Sequence, residues 1–404
     1  MNFIKSFLFF SIVSVSLLAN IQKEIQTNLI IAKEGDVIRL PEGIFDLQRV
    51  LVADNLNNVS IIGAGVDKTI LSFKNQIQGA EGIKISNSEN IILKDFTIED
   101  SKGDLIKVED TKGISFINIK AQWTGGPKST NGSYALYPVK AENVYIDNCI
   151  AIGASDAGIY VGQSKNIIVK NSEAYFNVAG IEIENSINAD VYNNYAHDNS
   201  GGILVFDLPD LLIKRGGNVR VYNNKVENNN LTNFAPPGNI VAKVPSGTGI
   251  QILATSNVEI FNNNIINNKT ANTSIVSYYM TEEPISDSLY YPYPNSIYIY
   301  DNIYKRDRQF PSFSFKQPIG FLLAYNFWRD IPDIIYDGII DSELLTKDNK
   351  IAEDKRICIQ RNDNGSFVNL DAENDFHNIS SDLSLYDCSL PLLNKVVYPF
   401  LKWY

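Results

Sequence analysis

A short unit recurs along most of this chain, and no other feature restricts the fold so sharply. The unit opens on Asn (once Gly, once Ser), alternates apolar residues, and closes on Asn or Asp. Copies run Asn90–Asp95, Gly113–Asn118, Asn143–Asn148, Asn166–Asn171, Asn188–Asn193, Asn218–Asn223, Asn257–Asn262 and Ser296–Asp301. Their closing residues are 23, 30, 23, 22, 30, 39 and 39 positions apart. This is a basic period of 22 or 23 with insertions on certain turns, as in a solenoid. Each period carries a second apolar pair, as in Ile83-Lys-Ile85, Ile106-Lys-Val108, Val139-Lys-Ala141, Ile159-Tyr-Val161, Ile181-Glu-Ile183, Ile203-Leu-Val205 and Ile250-Gln-Ile252. A third short run follows the closing Asn, as in Ile150-Ala-Ile152.

Three runs of 3 to 5 residues with period-2 alternation are strands and not helices. A leucine-rich repeat is excluded, because no unit has a helix-length segment. The remaining solution is an all-β parallel β-helix of about ten coils with three strands per coil. Each strand pairs with its copy in the next coil, roughly 4.8 Å away, for a rod of roughly 45–50 Å. Inward residues then stack on their own kind. The corner asparagines stack likewise and tolerate left-handed backbone, so they read as structural. Residues 21–29 have helical spacing and suit an N-terminal cap. After about residue 304 the pattern fades. The organisation expected is a leader over 1–19, a capped β-helix over 20–304, and a mixed C-terminal cap or small appended region over 305–404.

Met1 to Ala19 reads as a secretory signal peptide: Lys5 precedes an apolar run from Phe7 to Leu18. Too short for a comfortable transmembrane helix, it implies a periplasmic or secreted protein with no membrane partner after cleavage. A retained N-terminal anchor is the alternative. Export permits a disulfide between Cys358 and Cys388, leaving Cys149 over; sequence leaves that pairing open. With 35 Lys+Arg against 46 Asp+Glu, the net charge of −11 argues against a nucleic-acid partner. Two histidines and three cysteines exclude zinc clusters and haem attachment.

At this point the residues resemble the right-handed parallel β-helix proteins, the pectate-lyase-like and carbohydrate-binding and sugar-hydrolase repeat superfamily. Gly35-Asp-Val-Ile-Arg-Leu-Pro-Glu-Gly43 and Ile61 to Leu71 look like their opening coils. Trp123-Thr-Gly-Gly-Pro-Lys128, Ala151 to Ser164 and Phe206-Asp-Leu-Pro-Asp210 are similar to exported bacterial parallel β-helix repeat proteins without an assigned activity. The resemblance implies a right-handed, single-stranded coil and transfers no catalytic residue. The Tyr-Gly-Phe-Asp-Pro-His signature of alginate epimerases is missing, and so is an Asp–His pair of the pectate-lyase type.

Alternation turns the middle residue of each second run outward, giving a row Lys84, Lys107, Lys140, Tyr160, Glu182, Leu204 and Gln251. Insertions 123–137, 206–217 and 231–247 flank this row, so a trough with adjustable walls is expected. Its partner would be a polysaccharide or oligosaccharide. Trp123, Tyr134, Tyr137, Tyr160 and Phe234 offer faces for sugar rings, while Lys107, Lys128, Lys140 and Arg215 offer charge for acidic groups. If the trough is catalytic, proton abstraction beside a uronate carboxylate fits, as in a lyase or epimerase, with Lys140 or Arg215 neutralising the carboxylate and Tyr160 as base. Glu182 and Asp156 form the alternative, a hydrolytic carboxyl pair. No cofactor is expected; Ca²⁺ would find oxygen ligands in Asp207 and Asp210, which read first as turn residues. His197 reads as a solvated turn residue beside the trough. Other readings are a non-catalytic periplasmic accessory protein holding a glycan or a second exported protein, and a structural surface rod. The aromatic clusters 278–280, 290–293 and 400–404 read as seals of core edges.

Overall fold

The structure, a computed structural model, describes residues 21–348 and 351–398; the leader and the last six residues lie outside them. The chain winds as the repeat requires. One sheet has eleven strands and the other nineteen, and strand pairs within both are parallel. Registers follow the period: Ile159 pairs with Ile181, then Ile203, then Ile250. The inward side chains of successive coils form one continuous core in which Ile159, Ile181, Ile203 and Ile250 are fully buried. The eleven-stranded sheet carries the outward row and is called the front sheet below. The nineteen-stranded sheet wraps the other two strand positions of each coil.

The corners explain the asparagine doublets. In Asn193-Asn194, Asn223-Asn224 and Asn262-Asn263 the first residue takes left-handed φ (54° to 55°), which Asn tolerates at low cost. The second turns inward and is buried. There Asn194 Nδ2 donates to Asn224 Oδ1 at 3.1 Å, Asn224 to Asn263 at 3.0 Å, and Asn263 to Asn302 at 2.9 Å. A second buried ladder joins Asn177, Asn199, Asn229 and Asn268. The expected outer ladder exists too, from Asn148 to Asn118 (3.2 Å) and Asn193 to Asn171 (3.5 Å), but the inner one bonds more closely. Asn263→Ala would orphan buried donors on Asn224 and take the side-chain donor from Val221 O, while Asn302 Oδ1 keeps the Asn263 N–H. Its expected cost is about 3 kcal/mol, measured as a fall in the urea midpoint. A change under about 0.5 kcal/mol would refute that role.

The N-terminal cap is a helix over residues 21–31. Ile25 and Leu29 bury themselves against the first coil. Gln22 and Gln26, one turn apart on the same face, satisfy the open edge of the first front strand, Arg49–Asp54. Gln22 bonds Arg49 O and Gln48 N, and Gln26 bonds both Val52 O (2.8 Å) and Val52 N (2.9 Å). Side-chain amides thus replace the missing strand and block edge-to-edge association.

Past residue 304 the sheets continue although the sequence pattern fades. Ile334–Tyr336 pairs with Ala271–Val276, Ile357–Gln360 with Asn295–Tyr300, and Phe367–Asn369 ends the front sheet. Cys358 and Cys388 are joined by a disulfide; Cys149 is free, buried in the core and pushed up to about 12 by that burial. From Cys388 the chain runs back across the nineteen-stranded sheet as a strap. Leu393 N–H reaches Glu259 (3.1 Å), Val396 N–H reaches Asp190 (3.2 Å), and Tyr398 bonds Ser115 (3.0 Å).

Candidate functional site

The front sheet carries a cluster of carboxyls and phenols, and it is roofed rather than open. Tyr160 pairs in register with Glu182, Glu182 with Leu204, and Leu204 with Gln251, as the alternation required. Their exposures are 4%, 1%, 0% and 8%. The cover is the insertion before strand Thr248–Leu253. Its Val241 and Val244 form one apolar cluster with Ala179, Leu204 and Phe206 of the sheet, and its Asn239 donates to Asp156 at 3.3 Å. An open trough is therefore corrected to a closed one at this point. The insertion is apolar enough to leave water and cover the sheet.

Beneath the roof, Glu182 and Glu184 project from the same face of strand Ala179–Glu184, two residues apart. Tyr160 donates to Glu184 Oε1 at 2.6 Å and Tyr134 to Asp156 Oδ2 at 3.3 Å. Gly162 makes the first bond available, because a methyl group there would collide with the Tyr160 ring. Glu182 Oε2 has no hydrogen-bond partner among the described residues. Burial, with the neighbouring carboxyls, pushes Asp156 up to about 8 and holds Glu182 well above the carboxylate range. Burial raises Glu184 to about 7 against the Tyr160 bond, which opposes it. Desolvation and these carboxyls also raise Tyr134 and Tyr160 well above the usual phenol value. Tyr160 is therefore a hydrogen-bond donor here, not the base that the sequence suggested. Perturbed groups gathered against one sheet mark a functional-site candidate.

Five further expectations change. Lys140 is not in the row. It sits exposed at a left-handed corner (φ 51°), equivalent to Asp110 and Gln163, and Tyr137 takes its place opposite Lys107. The core positions of that strand are filled by Leu136 and Pro138, which shifts the lysine past the strand end. Trp123 is buried in the main core and donates to Ser101 O, so it offers no ring to a ligand. Asp207 spends both carboxyl oxygens on Gly216 N–H (3.0 and 2.9 Å), closing its own loop. Arg215 is stacked 4.0 Å over the Tyr291 ring, away from the cluster. Lys107 does lie beside Tyr137, 5.4 Å from its ring centroid, but pairs with Glu109 at 3.1 Å. His197 lies on strand Tyr195–His197 of the other sheet, bonded to Glu173 (3.0 Å) and Asp198 (2.7 Å). Among the described residues no group of three or more His, Cys, Asp or Glu is placed to hold a metal ion.

Sequence reasoning missed Glu184 and Asn239, and it offered Tyr134 as a ring face for sugar where the structure makes it a donor to Asp156. Glu184 was readable, since it is two residues beyond Glu182 on the same outward face. Asn239 arrives on a loop from another coil and leaves no periodic signal. On the C-terminal side the cluster adjoins a cavity of 290 Å³ floored by Phe206, Gln251 and Leu253 and walled by Val244, Met280 and Leu322. Gln251 Oε1 has no partner among the described residues.

A family model described as "Right handed beta helix region" matches residues 54–210 and 128–307. No curated protein matches the chain in sequence. Among solved structures, the A-module of the Azotobacter vinelandii mannuronan C-5 epimerase AlgE4 is similar over 85% of this chain and 90% of that one, at 14% identity and TM-score 0.49. An alginate lyase from Paenibacillus is similar over 71% and 96%, at 13% identity and TM-score 0.47. Endopolygalacturonase I from Stereum purpureum is similar over 62% and 87%, at 16% identity and TM-score 0.41.

Proposed function

The chain belongs to the right-handed β-helix family, and from that premise we propose that it is an exported protein that holds a glycan on its front sheet and cleaves it by general-acid chemistry. The observation that carries this reading is the trio Asp156, Glu182 and Glu184, buried together, each held by that burial above the ordinary carboxylate range. Glycoside hydrolysis needs one carboxyl that keeps its proton and one that has lost it. Glu182, with a free oxygen, is the donor; Glu184 or Asp156 becomes the carboxylate. The adjoining cavity offers apolar walls and the Gln251 carbonyl for a sugar hydroxyl. The roof over 231–247 must lift to admit the chain. The Cys358–Cys388 bond supports export to an oxidising compartment.

Binding of an acidic polysaccharide is the second reading: Lys84 and Lys107 stand in consecutive register on the same face and share one carboxylate, Glu109, which leaves one positive charge over. Elimination at a uronate is less well served, because no unpaired cation faces the cluster among the described residues: Lys107 is committed to Glu109 and Lys140 lies outside the row. The test is incubation with neutral and uronate polysaccharides, reading reducing ends and unsaturated products separately. Reducing ends are expected, with kcat lowered about 100-fold or more in Glu182→Gln and unchanged in Lys140→Ala. Unsaturated product would replace hydrolysis by elimination. Silence across the panel with glycan binding intact would leave a scaffold.

A further inference from the structure

One segment is out of character with the rest of the chain. Residues 309–329 contain no Asp or Glu, in a protein of net charge −11. They form a loop followed by helix Ile319–Phe327. One side of this helix is accounted for: Leu323 is fully buried against Ile335 and Val368 on the front sheet. The other side is aromatic. Phe321 and Tyr325 recur at i and i+4 on one helix face, Trp328 follows just past the helix end, and all three are exposed, Tyr325 to 89% and Trp328 to 63%. The loop extends this face with Phe310, Phe313 and Phe315, the last 96% exposed. Monomeric proteins rarely leave so much contiguous apolar surface in water.

Two features identify what covers it. Lys316 and Arg329 border the aromatics, both exposed, and neither forms an ion pair among the described residues. The rings are tilted against one another, at 76° for Phe310 and Trp328, 45° for Phe310 and Phe313, and 36° for Phe313 and Phe321. A sugar-stacking platform would present coplanar faces, as does the stack of Tyr192, Tyr222, Phe261 and Tyr300, where neighbours lie within 8°. Protruding, non-coplanar rings beside cations suit insertion among lipid headgroups. We propose that this apron docks the rod onto an anionic phospholipid surface, with Phe315, Tyr325 and Trp328 inserted at the headgroup boundary and Lys316 and Arg329 facing lipid phosphates. This runs against the sequence expectation of no membrane partner. It does not rest on the carboxyl cluster, although Leu322 of the same helix and Lys316 line the cavity beside that cluster.

The experiment is co-sedimentation of the full chain with vesicles of phosphatidylcholine alone and of phosphatidylcholine mixed with phosphatidylglycerol. The wild type should sediment with the anionic vesicles, and added salt should weaken it. Phe315→Ser/Tyr325→Ser/Trp328→Ser leaves the buried Leu323 side in place and should lower the bound fraction about tenfold or more. Lys316→Glu/Arg329→Glu should abolish the preference for anionic lipid. Comparison within the full chain cancels any contribution of residues 1–19. The proposal is overturned if neither vesicle sediments the protein, or if the triple variant binds like wild type. It is equally overturned if the aromatics drive self-association or glycan retention instead, shown by light scattering or an immobilised glycan responding to the same variant.

Discussion

Arg220→Met is expected to lower stability by about 3–5 kcal/mol, although arginine at an outward strand position would ordinarily be replaceable. Asp190, Arg220 and Glu259 occupy successive register positions on the nineteen-stranded sheet. Arg220 Nη1 lies 3.4 Å from Asp190 and its Nε 3.4 Å from Glu259, and all three side chains are at most 7% exposed. The strap covers them and donates Val396 N–H to Asp190 and Leu393 N–H to Glu259. Burial raises both carboxyls and the guanidinium opposes that rise. Without Arg220 two buried carboxyls face each other with only one backbone donor each. Asp190→Asn/Glu259→Gln added to Arg220→Met should restore much of the loss, because the charges then vanish together. Urea unfolding measures both changes. A single variant within about 1 kcal/mol of wild type would show that the triad is not held by this pairing. Hydrogen exchange should also show Leu393 and Val396 losing protection when Arg220 is removed.

The second large effect is a pH dependence located at Glu182. The folded-state values of Asp156 and Glu184, about 8 and about 7, lie above those of unfolded carboxyls, near 4. Between about pH 4 and about pH 8 the native protein therefore keeps protons that the unfolded chain releases. Stability must fall as pH rises through that window, and it is greatest at its acid end as far as these groups are concerned. Glu182→Gln replaces the member whose Oε2 has no hydrogen-bond partner among the described residues with a neutral group of the same shape. It should change stability little at about pH 4.5 and raise it at about pH 8, seen as unfolding midpoints that diverge with pH. Parallel midpoints for variant and wild type would mean that Glu182 is not a proton store. The same substitution is expected to abolish turnover, so it should give a more stable and inactive protein, the trade expected where a site is built at the expense of stability.

The coil was readable because each inward residue repeats at the strand period. Ile159, Ile181, Ile203 and Ile250 say as much in sequence as they do in the core. The cap helix was readable from its spacing, though its function of bonding the sheet edge through Gln22 and Gln26 was not. The candidate site was half readable. Tyr160 and Glu182 fell where alternation put them, and Asp156 joins them from the preceding corner. Lys140 did not, because Val139-Lys-Ala141 imitates the Ile159-Tyr-Val161 run while Leu136 and Pro138 fill the core. A small residue follows the corner in each coil, Thr111, Ala141, Ser164 and Ser186, and that mark would have given the right alignment.

By itself the sequence determined which side chains point into the coil and which point out, since a strand's alternation and a solenoid's period are local and repeat. Only the tertiary structure decided which outward residues stay in water. The insertion over 231–247 buries Glu182, the strap from Cys388 buries Arg220, and nothing among the described residues covers Tyr325 or Trp328. Those covers come from segments tens to hundreds of residues away, where no period links coverer to covered. The charge states, and with them the chemistry, follow from that burial.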